Sequence, residues 1–252
     1  MGTSASSKGP GSQSPLVPPW ADANPGTLLP PPEPRRFKPF RLSLSRFVQS
    51  GNKADLYKAM GHYARTATGG RNVGARRFGS ASKTGGALFG LLSDLRSGGT
   101  GEAIVNIDLS SLNGKDLDYA IQEIARVVTC VDGDAEKTKV AVQHALSETL
   151  EGLGTFNSSV ITDEMLVNIM ILYVRDFVFQ QIVMESGKAL QGLTNGIQAI
   201  EVENAILELV SVIVEKTMSP FFINGISLLT RQQVEGIQQK TIAEVMMEWG
   251  KY

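Results

Sequence analysis

The chain is poor in the residues that build most active centres. One cysteine in 252 residues excludes a disulfide scaffold and a cysteine-rich zinc module. Two histidines, His62 and His144, are too few and too far apart in sequence for a histidine-built metal centre. No Gly-x-x-x-x-Gly-Lys-Ser/Thr phosphate loop occurs, and no Gly-x-Ser-x-Gly nucleophile elbow. The uncharged apolar run Met165–Val174 is far shorter than the ~20 residues of a membrane span, and Asp163, Glu164, Arg175 and Asp176 bound it. It reads as part of a central core helix, with Arg175 and Asp176 at a surface or partner contact. Cys130 has no basic neighbour to activate it and reads as a small core residue. His144 sits beside apolar helix positions, the setting of a structural histidine. The carboxylates of the second half fall mostly at helix-surface spacing and read as solvated faces. The chain is therefore expected to be no enzyme, with no catalytic residues, no metal and no cofactor.

Proline is also scarce outside the beginning. Ten of the 11 prolines lie between Pro10 and Pro39, and the other is Pro220. Residues 1–36 are rich in Gly, Ser and Pro, and such a stretch buries too little apolar surface to offset its ordering entropy. It reads as an extended or disordered arm with polyproline character. It lacks the apolar core of a signal peptide. Within it, Leu16, Val17, Pro18, Pro19 and Trp20 form one compact apolar patch. Prolines limit the freedom lost on binding, so this patch reads as a docking peptide for a partner groove.

Charge divides the rest. Residues 35–96 hold 13 Lys and Arg against Asp55 and Asp94, whereas residues 97–252 hold 10 against 21 acids. Composition thus gives a Pro-rich arm (1–36), a basic Gly/Arg-rich helical region (37–100) and an acidic helical bundle (101–252). Apolar residues recur with a period near 3.6 almost throughout, which predicts an all-α helical bundle. Phe40, Leu44 and Phe47 share one helix face, closed by Gly51. Asn52 is a candidate N-cap for a helix carrying Leu56, Met60 and Tyr63. Ala87–Arg96 reads as a short helix, and Ile104–Leu109 as extended loop. Asn113 is the expected cap of a helix bearing Leu117, Ile121, Ile124 and Val128. Asp134 opens the next helix, and Thr162 a long one reaching about Ser186. Glu201–Met218 is another, and Thr230-x-x-Gln233 is a capping-box pattern before the last.

The segment Gly61–Gly86 is the most unusual. It sets His62, Arg65, Arg71, Arg76, Arg77 and Lys83 among seven glycines, with no acid. Glycine lets backbone approach a ligand closely, and arginine pairs with phosphate or carboxylate. Tyr63 and Phe78 could stack on bases. Three readings stand: contact with nucleic acid or nucleotide, docking on an acidic protein, or complementation of the chain's own acidic half.

The opening Met-Gly-Thr-Ser, Pro15-Leu16-Val17-Pro18-Pro19-Trp20, Arg36-Phe37, Phe40-Arg41, Arg46-Phe47, Gly61-His62-Tyr63-Ala64-Arg65, Gly69-Gly70, Arg76-Arg77-Phe78-Gly79 and Glu248-Trp249-Gly250-Lys251-Tyr252 form one pattern. It resembles the QatB family of the bacterial Qat anti-phage defence system, over nearly the whole chain. The resemblance implies a cytoplasmic, non-catalytic component. Its partners would be QatC, an enzyme related to the QueC-type deazaguanine enzymes, QatA, an ATPase, and QatD, a TatD-like nuclease. It also makes Gly2 a modification candidate. Removal of Met1 would leave an amine without a side chain, to which QatC would join a deazaguanine. Thr3 and Ser4 would form a recognition collar, and Leu16–Trp20 a more distant anchor. The alternative is a nucleic-acid-binding accessory using the basic segment. Met1-Gly2-x-x-x-Ser6 also fits the N-myristoylation pattern, but one acyl chain binds membranes only marginally, and no membrane role is expected.

Overall fold

The computed structural model describes residue 11 and residues 14–190 and 196–252. Among these residues the architecture is all-α, as the periodicity predicts. Helices α1 (Lys38–Ser50), α2 (Lys53–His62), α3 (Arg71–Arg76) and α4 (Gly79–Arg96) come first. Then follow α5 (Glu102–Val105), α6 (Leu117–Val128) and α7 (Ala135–Thr149). Three long helices, α8 (Asp163–Ser186), α9 (Gly196–Phe222) and α10 (Arg231–Trp249), complete the chain. No strand occurs among the described residues.

Contacts sort the chain into two compact units that are discontinuous in sequence. The first comprises the described residues of 1–79, 178–214 and 240–252, the second 80–177 and 215–239. The composition boundaries at 36 and 100 therefore mark changes of residue type, whereas the units are assembled from distant segments.

In the first unit, α1 packs on α2 and on the 3-10 turn Gly187–Leu190. Phe40, Leu44, Phe47, Met60, Tyr63 and Trp249 are all buried. Gly51 closes α1 with φ +67°, its N–H donating to the Phe47 carbonyl at 2.8 Å. Asn52 caps α2 by accepting from Ala54 N–H at 3.0 Å. Both agree with the sequence reading. The α2 path then widens into a π turn over Tyr63–Ala67, where Thr68 N–H reaches back to the Tyr63 carbonyl.

The second unit buries Leu88, Leu91, Leu92, Ile121, Ile124, Val142, Leu146 and Tyr173. Its caps correct one expectation. Asp116, not Asn113, caps α6, accepting from Tyr119 N–H at 3.1 Å. Asn113 instead accepts from Ser158 N–H at 2.8 Å, because residues 114–115 pair with Phe156 and displace the helix start. Ile104–Leu109 is not wholly extended: α5 takes one turn through Val105 before Asn106 (φ 58°) breaks it. Helix α4 begins at Gly79, eight residues before the predicted Ala87. Helix α9 continues through Pro220 to Phe222.

The stretch Asp163–Leu190 is long and apolar enough, by length and composition, to cross a membrane, and 61% of its most apolar window is buried inside the molecule. It is more apolar than the run Met165–Val174 alone suggests, because Val178 and Ile182 extend the buried face beyond the charged pair.

The predicted capping box forms reciprocally. Thr230 N–H donates to Gln233 Oε1 at 2.8 Å, and Gln233 N–H donates to Thr230 Oγ1 at 3.3 Å. Thr230→Ala is expected to lower stability by about 1 kcal/mol, read as a fall in thermal midpoint by differential scanning fluorimetry.

Candidate functional site

The candidate feature of the first unit is a buried polar clamp over the leading segment. It starts from Glu185, 2% exposed near the end of α8. Its Oε2 accepts from the Tyr63 hydroxyl at 2.7 Å, and its Oε1 forms an ion pair with Arg77 Nη2. Burial and the adjacent Glu185 charge push the Tyr63 hydroxyl well above its ordinary pKa, so it remains a donor. A buried charge is tolerated only where paired and hydrogen-bonded, and this arrangement supplies both.

Two arginines carry the grip outward. Arg77 Nη1 donates to the Leu16 carbonyl at 2.8 Å. Arg36, 1% exposed, donates from Nε to the Ala67 carbonyl at 2.8 Å, from Nη2 to the Pro15 carbonyl at 2.9 Å, and from Nη1 to the Ser14 carbonyl. Desolvation lowers the Arg36 pKa, the nearby Arg77 charge adds to that, and Glu185 opposes both. Arg41 joins from α1, donating Nε to the Glu185 backbone carbonyl at 2.9 Å. Both Arg36 and Arg41 lie against the Phe37 ring, at 4.8 and 5.1 Å from its centroid.

The same motif holds the next stretch of the segment. Arg76 forks onto Asp22, Nε to Oδ1 at 2.9 Å and Nη2 to Oδ2 at 2.7 Å. It also reaches the carbonyls of Asn24 and Thr27. These bonds hold the Asp22 carboxyl below its usual range. Ala23 N–H returns a bond to the Arg76 carbonyl at 3.0 Å. Gly79 is what allows this approach, since a Cβ there would stand 2.5 Å from Ala23 N and 2.7 Å from the Ala21 carbonyl oxygen.

The arm expected to be extended or disordered is, from Ser14 onward, irregular but partly seated. Residues 14–36 lack regular structure apart from the 3-10 turn Pro19–Ala21, but part of them is seated. Leu16 and Val17 are buried, each 5% exposed, because the arginines draw the backbone down beside them. Pro18 is half-buried, and Pro19 and Trp20 stay exposed, Trp20 by 51%. The expected docking patch is therefore divided between an inward and an outward half. Gly2, Thr3 and Ser4 lie outside the described residues.

The basic segment lies in the helical region expected over residues 37–100. It is helical over much of its length, and its three central arginines meet the chain's own groups. Arg77 meets Glu185, Arg76 meets Asp22, and Arg71 meets Glu244. Arg71 and Arg77 thus pair with acids of the chain's second half, and Arg76 with an acid of the leading arm. Arg65 donates Nη1 to the backbone oxygens of Gly250, at 2.5 Å, and Tyr252, at 3.1 Å. His62 is half-buried, and Lys83 is an exposed residue of the other unit. Sequence reasoning assigned no role to Glu185. Its spacing from Val178 and Ile182 marks the buried face of α8, the one signal that separates it from the solvated acids.

In the second unit, Asp176, 5% exposed, accepts from His144 Nδ1 at 2.6 Å and from Arg175 Nε at 2.7 Å. Arg175 also binds Glu148, Nη2 to Oε2 at 2.8 Å. The residues read as surface or partner contacts are thus largely consumed by an internal network. Cys130 is only half-buried, with Thr84 Oγ1 3.7 Å from its sulfur. Among the described residues, no group of three or more His, Cys, Asp or Glu could hold a metal ion.

Two outcomes follow. Glu185→Ala removes the carboxylate that Arg77 and Tyr63 share, and with it the one negative charge acting on the buried Arg36 and Arg41. It should cost more than Arg77→Ala, itself about 3–5 kcal/mol by the usual cost of breaking a buried pair; urea denaturation of both variants checks the order. The Asp176 bond raises the His144 pKa above 6.5, against desolvation and the Arg175 charge and with help from Glu148. A raised native value means that protonation stabilises the fold. The advantage of wild type over His144→Asn should be full below pH 6.5 and fade as pH rises through the raised value, read from thermal midpoints across that range.

A family model described as QatB, Qat anti-phage system associated protein QatB, matches residues 69–247. The match takes in Arg76, Arg77 and Glu185. No curated protein and no solved structure gives a match.

Proposed function

Because the chain belongs to the QatB family and so is a component of the Qat anti-phage system, we propose that it is a non-catalytic member that holds its leading segment for a partner enzyme. The observation that carries this reading is the clamp itself. Arg36 and Arg77 bind the carbonyl oxygens of Ser14, Pro15 and Leu16, so the grip depends on backbone position and begins at a fixed point. Gly2, Thr3 and Ser4 precede that point in the sequence.

The partner is a QueC-like enzyme, QatC, that activates a carboxyl group on a deazaguanine. The Gly2 amine, exposed by removal of Met1, attacks the activated carbonyl carbon. An amide bond forms, the activating group leaves, and the amine nitrogen gives up a proton. Glycine has no side chain to obstruct a narrow site. Thr3 and Ser4 form the collar recognised around it. Pro19 and Trp20, outward of the seated Leu16 and Val17, form the anchor on the partner. The ATPase QatA and the TatD-like nuclease QatD complete the set of partners, and the protein acts in the cytoplasm.

Intact-mass and N-terminal peptide measurement after coexpression with QatC tests this. A mass increase confined to the peptide carrying Gly2, lost in Gly2→Val and reduced at least tenfold in Trp20→Ala, is expected. A mass unchanged apart from loss of Met1 overturns the reading.

A further inference from the structure

Internal pairing uses Arg71, Arg76 and Arg77, but it leaves a second basic group on the first unit. Lys58, His62 and Arg65 follow one another at i, i+4 and i+7 along α2 and its π turn, so they share a face. With Ala54, Tyr57 and Tyr252 they line one open depression. Among the described residues, Lys58 and His62 have no carboxylate partner. Arg65 spends only Nη1, on two backbone oxygens, and its Nε and Nη2 make no hydrogen bond among the described residues. Burial first, then the Arg65 and Lys58 charges, hold His62 below its ordinary value of 6.5. Three cationic side chains thus line one depression.

Its border is aromatic. Tyr57 and Tyr252 meet edge to face, with centroids 4.9 Å apart and planes at 68°, and each is 41% exposed. On the far side of this pair runs a groove lined by Leu56, Leu209, Val212 and Ile213, with Lys53 and Glu208 beside it. Cations, a half-exposed ring and an apolar groove therefore succeed one another over a short distance. An inorganic anion or an acidic peptide would use only the first of these. A phosphate joined to a flat heterocycle would use all three, since bases stack on tyrosine and phosphates pair with Arg and Lys.

We propose that this depression binds a phosphorylated nucleoside, with its phosphate on Lys58, His62 and Arg65 and its base against Tyr57 and the adjoining groove. The ligand is a free nucleotide or a nucleotide unit of a single strand; the chemistry is the same. The site stands apart from the leading segment, and its failure would leave the Gly2 reading untouched.

Titration of the full chain with ATP, a short oligothymidylate, inorganic phosphate and polyglutamate tests the proposal. ATP or oligothymidylate should bind, and more tightly than phosphate. Binding of the oligomer at least tenfold tighter than ATP identifies a strand, and the reverse identifies a free nucleotide. Tyr57→Ala should lose about tenfold in affinity, the effect of removing one stacking platform. For the oligomer, Lys58→Ala should flatten the dependence of log K on log salt by about 0.7. Lys58 is exposed and has no carboxylate partner among the described residues, so its variant should keep the wild-type thermal midpoint. In the wild-type protein, the His62 titration followed by NMR should move upward when ligand binds. The proposal fails if neither nucleotide probe binds, if polyglutamate binds as tightly, or if the His62 titration stays in place at saturation.

Discussion

The first unit depends on one buried carboxylate. Glu185 meets Arg77 and Tyr63 at its two oxygens and Arg41 through its own backbone. These partners come from α1, the π turn after α2 and the end of α3, and Glu185 itself from α8. A single desolvated charge thus fixes elements more than a hundred residues apart in sequence. Such a charge is costly without partners and specific with them. The grip on the leading segment is secondary to it: Arg77 can turn one amino group toward Leu16 because another is already held by Glu185. Arg36, with no carboxylate directly on it, is satisfied by carbonyl oxygens and the face of Phe37.

The π turn is part of the same device. A regular helix would carry the 63–67 backbone into its own ladder. The widened turn, ended by Gly69 and Gly70 at positive φ, leaves the Ala67 carbonyl open to Arg36 and points Tyr63 inward. Arg65, two residues on, faces outward with Lys58 and His62. One local irregularity therefore separates an inward polar centre from an outward cationic face.

Much of the fold was legible in the sequence. The Phe40/Leu44/Phe47 face, the Gly51 stop, the Asn52 cap and the Thr230/Gln233 box are local devices, and local chemistry specifies them. Asn113 failed as a cap because its competitor, the pairing of residues 114–115 with Phe156, is a tertiary event with no sequence signal. The arginines of the Gly/Arg segment were visible as charge, but their partners were not. Asp22, Glu185 and Glu244 lie roughly 50 to 170 residues away in the chain, and nothing in spacing links them. Likewise, the burial of Leu16 and Val17 follows from hydrogen bonds to their backbone neighbourhood, which proline-rich composition conceals.

Gly79 lies directly beneath residues 21–23 and has no side chain to hold them off. Because the contacts above and around it are made to main-chain atoms, the identity of Ser14, Pro15 and Asn24 is almost irrelevant to seating, while their count is not. Sliding the segment by one residue would present alternate carbonyls on the wrong side and carry Asp22 out of the fork of Arg76. The molecule therefore measures its leading segment the way a ruler does, by length rather than by letters. Point changes at Ser14, Pro15 and Asn24 should be tolerated, unlike changes at the buried Leu16 and Val17 or at Asp22, whereas a single-residue insertion or deletion would put every later residue out of step.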